Sequence, residues 1–166
     1  MVFLHLLVLF FVNKLSGVHF FTLKRYLLNK LPNIEIGEKT KIVGPIYFNK
    51  IVKIKIGKGN WIGRDFRIDG NGMVSIGDNN DFAPEILIVT GSHKCGNKNR
   101  RAGEGVNNNI IIGSGNWIGT RTTIIEKASL GNGNIIGAQT LIKDVFDDDN
   151  LIVGIPGIVK RKLYND

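Results

Sequence analysis

Apolar positions recur along most of the chain with a period of six residues. The clearest run lies in the C-terminal half, at Ile112, Ile118, Ile124, Leu130, Ile136 and Ile142. The same interval separates Ile56, Ile62 and Ile68, and after two extra residues it returns at Ile76, Phe82 and Ile88. Neither the period of an α-helix nor the alternation of a half-buried strand produces this spacing, which is typical of hexapeptide β-helices. The pattern therefore predicts an all-β chain of short parallel strands.

The residues between the apolar positions predict how the chain turns. Glycine often follows the aliphatic residue, as at Gly113 and Gly119, and asparagine recurs nearby in segments such as "GKGNW" and "GNGNI". Both residues tolerate tight and left-handed backbone conformations, so they mark corners. We expect a triangular parallel β-helix of about five rungs. It should begin near Ile34 and end near Ile142, with one aliphatic side chain of each strand pointing inward.

The two ends of the chain depart from the six-residue period. Residues 1–33 read "MVFLHLLVLFFV" and then "FFTLKRYLLNKLPN", which predicts two short helices before the β-helix domain at residues 34–146. The apolar run is shorter than the roughly 20 residues that a membrane span needs, and no cleavage site of a signal peptide follows it. One interpretation is a helical cap over the first rung or a neighbouring subunit. The other is an interfacial anchor in peripheral contact with the inner membrane. Residues 147–166 form a basic tail whose "IVKRKL" predicts a short helix or strand.

Charge and cysteine usage restrict the setting. The formal net charge is +8, which predicts attraction to polyanions such as anionic lipid, an acidic glycan or a phosphorylated cofactor. Nucleic acid is not an expected partner, because the basic residues are not interleaved with base-stacking aromatic residues. Cys95 is the single cysteine, so no internal disulfide forms and a cytoplasmic location is expected.

The period stops at "TGSHKCGNKNRRAGEG", a loop of about residues 90–110 that contains His93. An imidazole has an ordinary pKa of about 6.5, so it can accept a hydroxyl proton near neutral pH and return it to a leaving group. His93 can also be a loop residue that only bonds its neighbours. Glu104 or a backbone carbonyl could orient the ring, and Cys95 offers an alternative in which a thiolate first takes an acyl group.

The chain resembles the hexapeptide-repeat acyltransferases, in the branch of galactoside, maltose, xenobiotic and bacterial polysaccharide O-acetyltransferases. The matching segments are "IGDNNDFAPEILIVTGSH", Arg100 and Gly103 after it, "IIIGSGNWIG" and "LIVGIPG". The resemblance implies a left-handed β-helix, a homotrimer with clefts between subunits, and acetyl-coenzyme A as donor. It also implies direct transfer with His93 as the general base.

The resemblance also implies where the two substrates bind. Trp117 would line the donor tunnel, backbone groups of Gly119 and Ala138 would bind the pantetheine arm, and cationic side chains would hold the phosphates, at Lys143, Lys160 and Arg161. The chain departs from the family pattern at Lys143-Asp144 and at Pro156-Gly157-Ile158, which weakens the individual phosphate contacts. Asp65 and Arg100 are the expected acceptor-binding residues.

The expected function is O-acetylation of a saccharide acceptor during synthesis of a surface polysaccharide, such as a capsule, O-antigen or exopolysaccharide. N-acetylation of an amino sugar or nucleotide sugar is an alternative, because the same base serves an amine. A noncatalytic trimeric glycan-binding scaffold is an alternative of another class. No metal is expected, since a zinc site in such a β-helix needs three histidines and the predicted coils contain only His93.

Overall fold

The computed structural model describes residues 2–164 of the chain, which form two helices followed by a parallel β-solenoid. The helices are α1 (Val2–Lys14) and α2 (Phe21–Leu28). In chain order the strands are β1 (Ile34–Ile36), β2 (Lys41–Ile42), β3 (Ile46–Phe48), β4 (Lys53–Ile56), β5 (Trp61–Ile62), β6 (Phe66–Asp69), β7 (Met73–Ile76), β8 (Asp81–Phe82), β9 (Leu87–Val89), β10 (Gly91–Cys95), β11 (Ala102–Asn107), β12 (Ile110–Ile112), β13 (Trp117–Ile118), β14 (Thr123–Ile125), β15 (Ser129–Leu130), β16 (Ile135–Ile136), β17 (Leu141–Ile142), β18 (Val145–Phe146), β19 (Asn150–Val153) and β20 (Ile158–Lys162).

Three parallel sheets form the faces of a triangular prism. Sheet 1 has the order β1-β4-β7-β12-β15-β18, sheet 2 has β2-β5-β8-β13-β16-β19 with β20 added at its end, and sheet 3 contains β3, β6, β9, β14 and β17. The predicted left-handed β-helix is confirmed, with about six turns where about five were expected. Ile34 pairs with Ile54, whereas Ile112 pairs with Leu130, so the early coils are 20 residues long and the late coils 18.

The solenoid continues past residue 146, the predicted end of the β-helix domain. Strand β19 pairs in parallel with β16, and only β20 leaves the prism by turning back antiparallel on β19. The sequence "DDDN" breaks the apolar period here, but the buried Asn150 continues the corner structure of the earlier coils. The basic tail is therefore a strand.

Asparagine has two roles at the corner between sheets 1 and 2: the left-handed conformation that the sequence predicted, as at Asn79, and a buried role that it did not. The residues with positive φ there include Gly59 and Asn79, but the asparagine that follows each of them is buried. These buried side chains form a ladder along the prism, in which Asn80 Nδ2 donates to Asn60 Oδ1 at 2.9 Å and Asn116 Nδ2 donates to Asn80 Oδ1 at 2.9 Å. Asn134 and Asn150 extend it. The ladder thus pairs buried polar groups that would otherwise be costly.

The two helices cover the N-terminal end of the prism. Residues Val8, Leu9 and Val12 of α1 pack against the core, and Asn13 forms two hydrogen bonds with the backbone of Ile46. Lys24 is buried in α2, where burial lowers its pKa and its Nζ donates to backbone carbonyls of the solenoid and the interhelical turn. Within residues 2–164, no helix has the length and apolar character that a membrane span requires.

Candidate active site

The segment that interrupts the six-residue period is a two-stranded ribbon outside the prism. Strands β10 and β11 pair antiparallel, with His93 opposite Gly105. The chain leaves the prism at Thr90 and returns at Asn108, whose N–H donates to the Thr90 carbonyl at 2.7 Å. The coil therefore closes beneath the ribbon, and sheet 1 resumes with Ile110 paired to Val74. This explains why the period resumes in register after the loop.

The ribbon orients the imidazole of His93. Its Nδ1 lies 2.9 Å from the carbonyl oxygen of Gly103, and because a carbonyl oxygen only accepts, Nδ1 carries the proton. The unprotonated Nε2 then holds a free electron pair, which is the tautomer that a general base needs. Glu104 does not orient the ring, since its carboxylate accepts from Lys94 Nζ at 2.6 Å. Of the two candidate orienting groups, the backbone carbonyl is the one observed.

His93 lines two clefts, one on each side of the ribbon. The first, of about 380 Å³, includes Gly70, Asn71 and the two ribbon strands. The second, of about 550 Å³, includes Lys143 and also Lys127, which sequence analysis did not single out. Both clefts lie at the corner between sheets 3 and 1. Lys143 is thus brought beside the candidate base, in a cleft whose two lysines are balanced by Glu126 and Asp144.

Cys95 and Arg100 occupy the outer part of the same ribbon. The Cys95 side chain is exposed, and its Sγ lies 3.6 Å from the carbonyl oxygen of Gly96. The strand register shifts between His93 and Cys95, so the two residues do not follow regular strand geometry. Arg100 is exposed in the ribbon turn, where its backbone N–H donates to Asn97 Oδ1 at 3.2 Å.

Three of the six expected donor-binding residues, Trp117, Lys160 and Arg161, lie elsewhere, on sheet 2. Strand pairing places Trp117, Ile135, Leu151 and Arg161 in one column on neighbouring strands, and Lys160 lies beside Arg161 on β20. The side chain of Trp117 is 59% exposed. The indole is separated from the cations by the two strands that carry Ile135 and Leu151. This arrangement suits an extended ligand with an apolar arm and an anionic end.

Gly119 and Ala138 lie at the corner between sheets 2 and 3, where successive coils approach closely. A Cβ atom on Gly119 would lie 2.6 Å from the backbone nitrogen of Ala138, so glycine is required here by coil stacking. The Gly119 N–H already donates to the Ile136 carbonyl at 2.8 Å, and its carbonyl accepts from Thr122 Oγ1 at 2.7 Å. A ligand at this corner can therefore use the second lone pair of the Gly119 carbonyl, but not its N–H.

A cleft of about 760 Å³ lies beside this corner, on sheet 3. Asp65 lines it together with Arg67, Glu85, Arg121 and Tyr47. Arg121 Nε donates to Glu85 Oε2 at 2.7 Å, and this bond lowers the pKa of Glu85 and raises that of Arg121. Asp65, Glu85 and Arg121 all have left-handed backbone conformations, with φ between 58° and 64°. Glu85 and Arg121 were not expected from the sequence. They occupy equivalent corner positions in two neighbouring coils, 36 residues apart in the chain.

One chain does not bring the expected site residues together. His93 and Lys143 lie at the corner between sheets 3 and 1, whereas Trp117, Lys160 and Arg161 lie on sheet 2, the face opposite that corner. Asp65 lies at the corner between sheets 2 and 3. Within the described residues, no three His, Cys, Asp or Glu side chains are grouped as a metal site requires.

Comparison with known proteins finds sequence similarity to sugar O-acetyltransferases. The galactoside O-acetyltransferase of Escherichia coli is 28% identical over 84% of this chain and 69% of its own length. That of Lactococcus lactis is 27% identical over 78% of this chain and 63% of its own length. The chain is thus similar in sequence to sugar O-acetyltransferases. These relatives confirm both the predicted family and the predicted enzyme class, although no family model matches the chain.

Solved structures of hexapeptide-repeat acyltransferases share the fold. The hexapeptide-repeat acetyltransferase VCA0836 of Vibrio cholerae, solved with acetyl-coenzyme A, superposes with a TM-score of 0.80 at 22% identity, covering 95% of this chain and 84% of that one. AntD, an N-acyltransferase of Bacillus cereus solved with a dTDP-amino sugar and coenzyme A, gives a TM-score of 0.65 at 16% identity over 82% of this chain and 88% of that one.

Proposed function

We propose that this acyltransferase transfers an acetyl group from acetyl-coenzyme A to a hydroxyl of a saccharide acceptor, in the synthesis of a surface polysaccharide such as a capsule, O-antigen or exopolysaccharide. The observation that carries the proposal is the bond from His93 Nδ1 to the Gly103 carbonyl, which leaves Nε2 as a proton acceptor. The sequence similarity to galactoside O-acetyltransferases supports acetyl transfer to a saccharide, and the similar fold of an acetyltransferase solved with acetyl-coenzyme A supports the donor.

His93 acts as the general base in a direct transfer. Its Nε2 removes the proton from the sugar hydroxyl as the hydroxyl oxygen attacks the thioester carbonyl carbon. The carbon–sulfur bond breaks, the acetyl group remains on the sugar oxygen as an ester, and the imidazolium returns its proton to the departing thiolate. Cys95 forms no bond to the acetyl group in this mechanism, which agrees with its exposed position at the outer end of the ribbon.

The donor lies between two copies of the chain in a homotrimer. Trp117 packs against the pantetheine arm, the Gly119 and Ala138 corner contacts its amides, and Lys160 and Arg161 bind the phosphates. His93 and Lys143 come from the neighbouring copy. The support for this arrangement is the separation of the two groups on opposite sides of one prism, which leaves each half of the site incomplete.

The saccharide binds in the cleft lined by Asp65, Glu85 and Arg121, and Arg100 on the ribbon contacts it from the outside. Carboxylates accept hydrogen bonds from sugar hydroxyls, and a guanidinium donates to their oxygens. The pairing of Glu85 with Arg121 keeps that carboxylate ionised and fixed in position. The cleft has about 760 Å³, enough for a sugar unit.

The test is acetyl-coenzyme A turnover with a panel of neutral sugars, uronic acids, amino sugars and nucleotide sugars. We expect acceptor-dependent release of free coenzyme A, and mass spectrometry should find an alkali-labile ester on the product. An alkali-stable amide on an amino sugar would replace O-transfer by N-transfer. Saccharide binding without turnover in any combination would favour a noncatalytic glycan-binding scaffold.

A further inference from the structure

The helix α1 has two apolar faces, of which the prism uses one. The inward face contains His5, Val8, Leu9 and Val12, which are buried. The outward face contains Phe3, Leu6, Leu7 and Phe10, which have the same helical spacing and remain exposed, with Phe3 at 78% and Leu6 at 62%. A helix that only capped the prism would need one such face.

The exposed apolar surface continues beyond α1. Val18 and Phe20 of the turn between the helices are exposed, and so are Leu23 and Tyr26 of α2. We call this surface, formed by the outward residues of α1, the interhelical turn and α2, the helical surface. Contiguous apolar surfaces of this kind on soluble proteins mark protein or membrane contacts.

Positive charge is concentrated at the same end of the molecule. Residues 1–68 contain twelve Lys and Arg residues against three Asp and Glu residues, whereas residues 69–166 contain ten against eleven. The N-terminal part therefore carries the whole positive balance of the chain. Many of its cations are exposed on the helices and the first two coils, among them Lys14, Lys30, Lys39, Lys50, Lys53 and Lys55. This exposed cationic zone meets the helical surface at Lys14 and Lys30, whose Nζ atoms lie 5.6 Å from the Phe10 ring centroid and 4.5 Å from the Tyr26 ring centroid.

We propose that the helical surface binds an anionic phospholipid bilayer, with the apolar side chains of α1 at the level of the acyl boundary and the surrounding lysines on the headgroup phosphates. The 13 residues of α1 extend about 20 Å, less than the hydrocarbon thickness of about 30 Å, so the helix lies in the interface. This inference does not depend on the acetylation reaction.

Charge selects the bilayer over the other possible occupants. A second copy of the chain would bring two cationic zones together, and like charges at close range oppose association. A nucleic acid would satisfy the lysines but would leave the phenylalanine and leucine side chains in water. An anionic bilayer satisfies both groups, because polybasic zones are attracted to acidic headgroups and apolar side chains enter the acyl boundary.

The test uses the full chain and flotation with vesicles. Vesicles of equimolar phosphatidylglycerol and phosphatidylcholine should carry the protein upward, whereas vesicles of phosphatidylcholine alone should carry little, and added salt should weaken the binding. Leu6→Ser with Phe10→Ser should lower the affinity for the anionic vesicles about tenfold or more. The matched apolar control is Val145→Ser with Ile155→Ser, two exposed positions outside this end of the molecule, and it should bind like the wild type.

Charge variants provide the second arm. Lys50→Glu with Lys53→Glu should weaken vesicle binding, whereas Lys98→Glu with Arg101→Glu in the ribbon, an equal change of charge, should not. The proposal is overturned if the wild type does not bind anionic vesicles. It is also overturned if Leu6→Ser with Phe10→Ser binds them normally but changes the number of subunits, because a second copy of the chain then covers the helical surface. A third outcome would also overturn it: the wild type and the Leu6→Ser, Phe10→Ser variant bind anionic vesicles equally well, and both also bind duplex DNA. The surface would then bind polyanions in general.

Discussion

The same pentapeptide, "GNWIG", occurs at residues 59–63 and 115–119, and the two copies have different surroundings. Asn60 and Asn116 are equivalent, since both are buried in the asparagine ladder. The tryptophans differ. The Trp61 ring lies 6.0 Å from the Phe21 ring of α2, which half-covers it, whereas Trp117 is 59% exposed on the same face of the prism. The repeat thus builds the prism at both positions and leaves an exposed indole at only one.

The difference between the two repeats lies in what covers them. Sheet 2 is covered by α2 at its N-terminal end and open farther along, where Trp117 and Arg161 share a column. An exposed indole does not contribute the hydrophobic stabilisation that a buried one would. That stabilisation is recovered when a ligand or a neighbouring subunit covers the ring. The four predictions below test this division between structure and function, from the largest expected effect to the smallest.

Replacing His93 should have the largest effect on function. His93→Ala removes the proton acceptor, so we expect kcat to fall by roughly two to four powers of ten while the Kd for acetyl-coenzyme A changes little. Steady-state turnover and calorimetric binding measure the two quantities. Cys95→Ser is the control and should stay active. A fully active His93 variant beside an inactive Cys95 variant would replace direct transfer by an acyl-enzyme mechanism.

The two ladder asparagines should be equally important for stability. Asn60→Ala and Asn116→Ala each leave buried backbone and amide groups without partners, so each should lower the free energy of unfolding by about 1–3 kcal/mol. Denaturant unfolding measures this, with the exposed Asn99→Ala as a control that should change it by less than about 0.5 kcal/mol. A large cost at one asparagine and none at the other would show that the two repeats are not equivalent inside the prism.

The two tryptophans should respond in opposite ways. Trp117→Ala should raise KM for acetyl-coenzyme A about tenfold, or about 1.4 kcal/mol, with little change in Tm. Trp61→Ala should lower the free energy of unfolding by about 1–3 kcal/mol, because it leaves Phe21 unpacked, while KM stays the same. Kinetics and thermal unfolding of both variants measure the contrast. If the two variants behave alike, coverage by α2 is not what distinguishes the repeats.

The smallest effect concerns acid stability at the last turn. Asp148 accepts hydrogen bonds from the backbone N–H and the side chain of Asn132, and the backbone bond is the main cause of its lowered pKa. A carboxyl with a lowered pKa in the folded state stabilises the protein above its unfolded value of about 3.9, and the contribution is lost as pH falls through the folded value.

The Tm difference between wild type and Asp148→Asn should therefore be largest at neutral pH and should shrink on acidification. Asp147→Asn is the matched control, because it leaves both contacts of Asn132 in place. A Tm difference that does not change with pH would show that the interaction with Asn132 does not depend on the charge of Asp148.

The apolar period was sufficient to predict the prism, because each short strand points an aliphatic side chain into the core and this produces one apolar residue in every six. The ribbon could be located for the same reason, since the apolar period stops at Thr90. The six-residue period does not show the parallel strand after residue 146, because Asn150, and not an aliphatic residue, continues the corner ladder there. The two faces of α1 could not be told apart, because both are apolar and only packing against the prism distinguishes them.

The candidate site was predictable in part. The resemblance identified His93 and Trp117, but it could not show that Gly103 rather than Glu104 orients the ring, since that depends on the ribbon register. Glu85 and Arg121 were missed because they are 36 residues apart. The ribbon is inserted between their coils, so the two residues are not separated by the length of one coil. Pairs of this kind become visible only when corner positions are aligned coil by coil.

The central claim is that each active site combines His93 of one copy with the Trp117 face of another. It is tested most directly by mixing two inactive variants, His93→Ala and Trp117→Asp with Arg161→Glu, by denaturing and refolding them together in equal amounts. If sites are shared, random mixed trimers should recover about a quarter of the wild-type turnover, because that fraction of the interfaces combines two intact halves. Turnover no higher than that of either variant alone, in mixed trimers verified by mass spectrometry, would contradict the shared site.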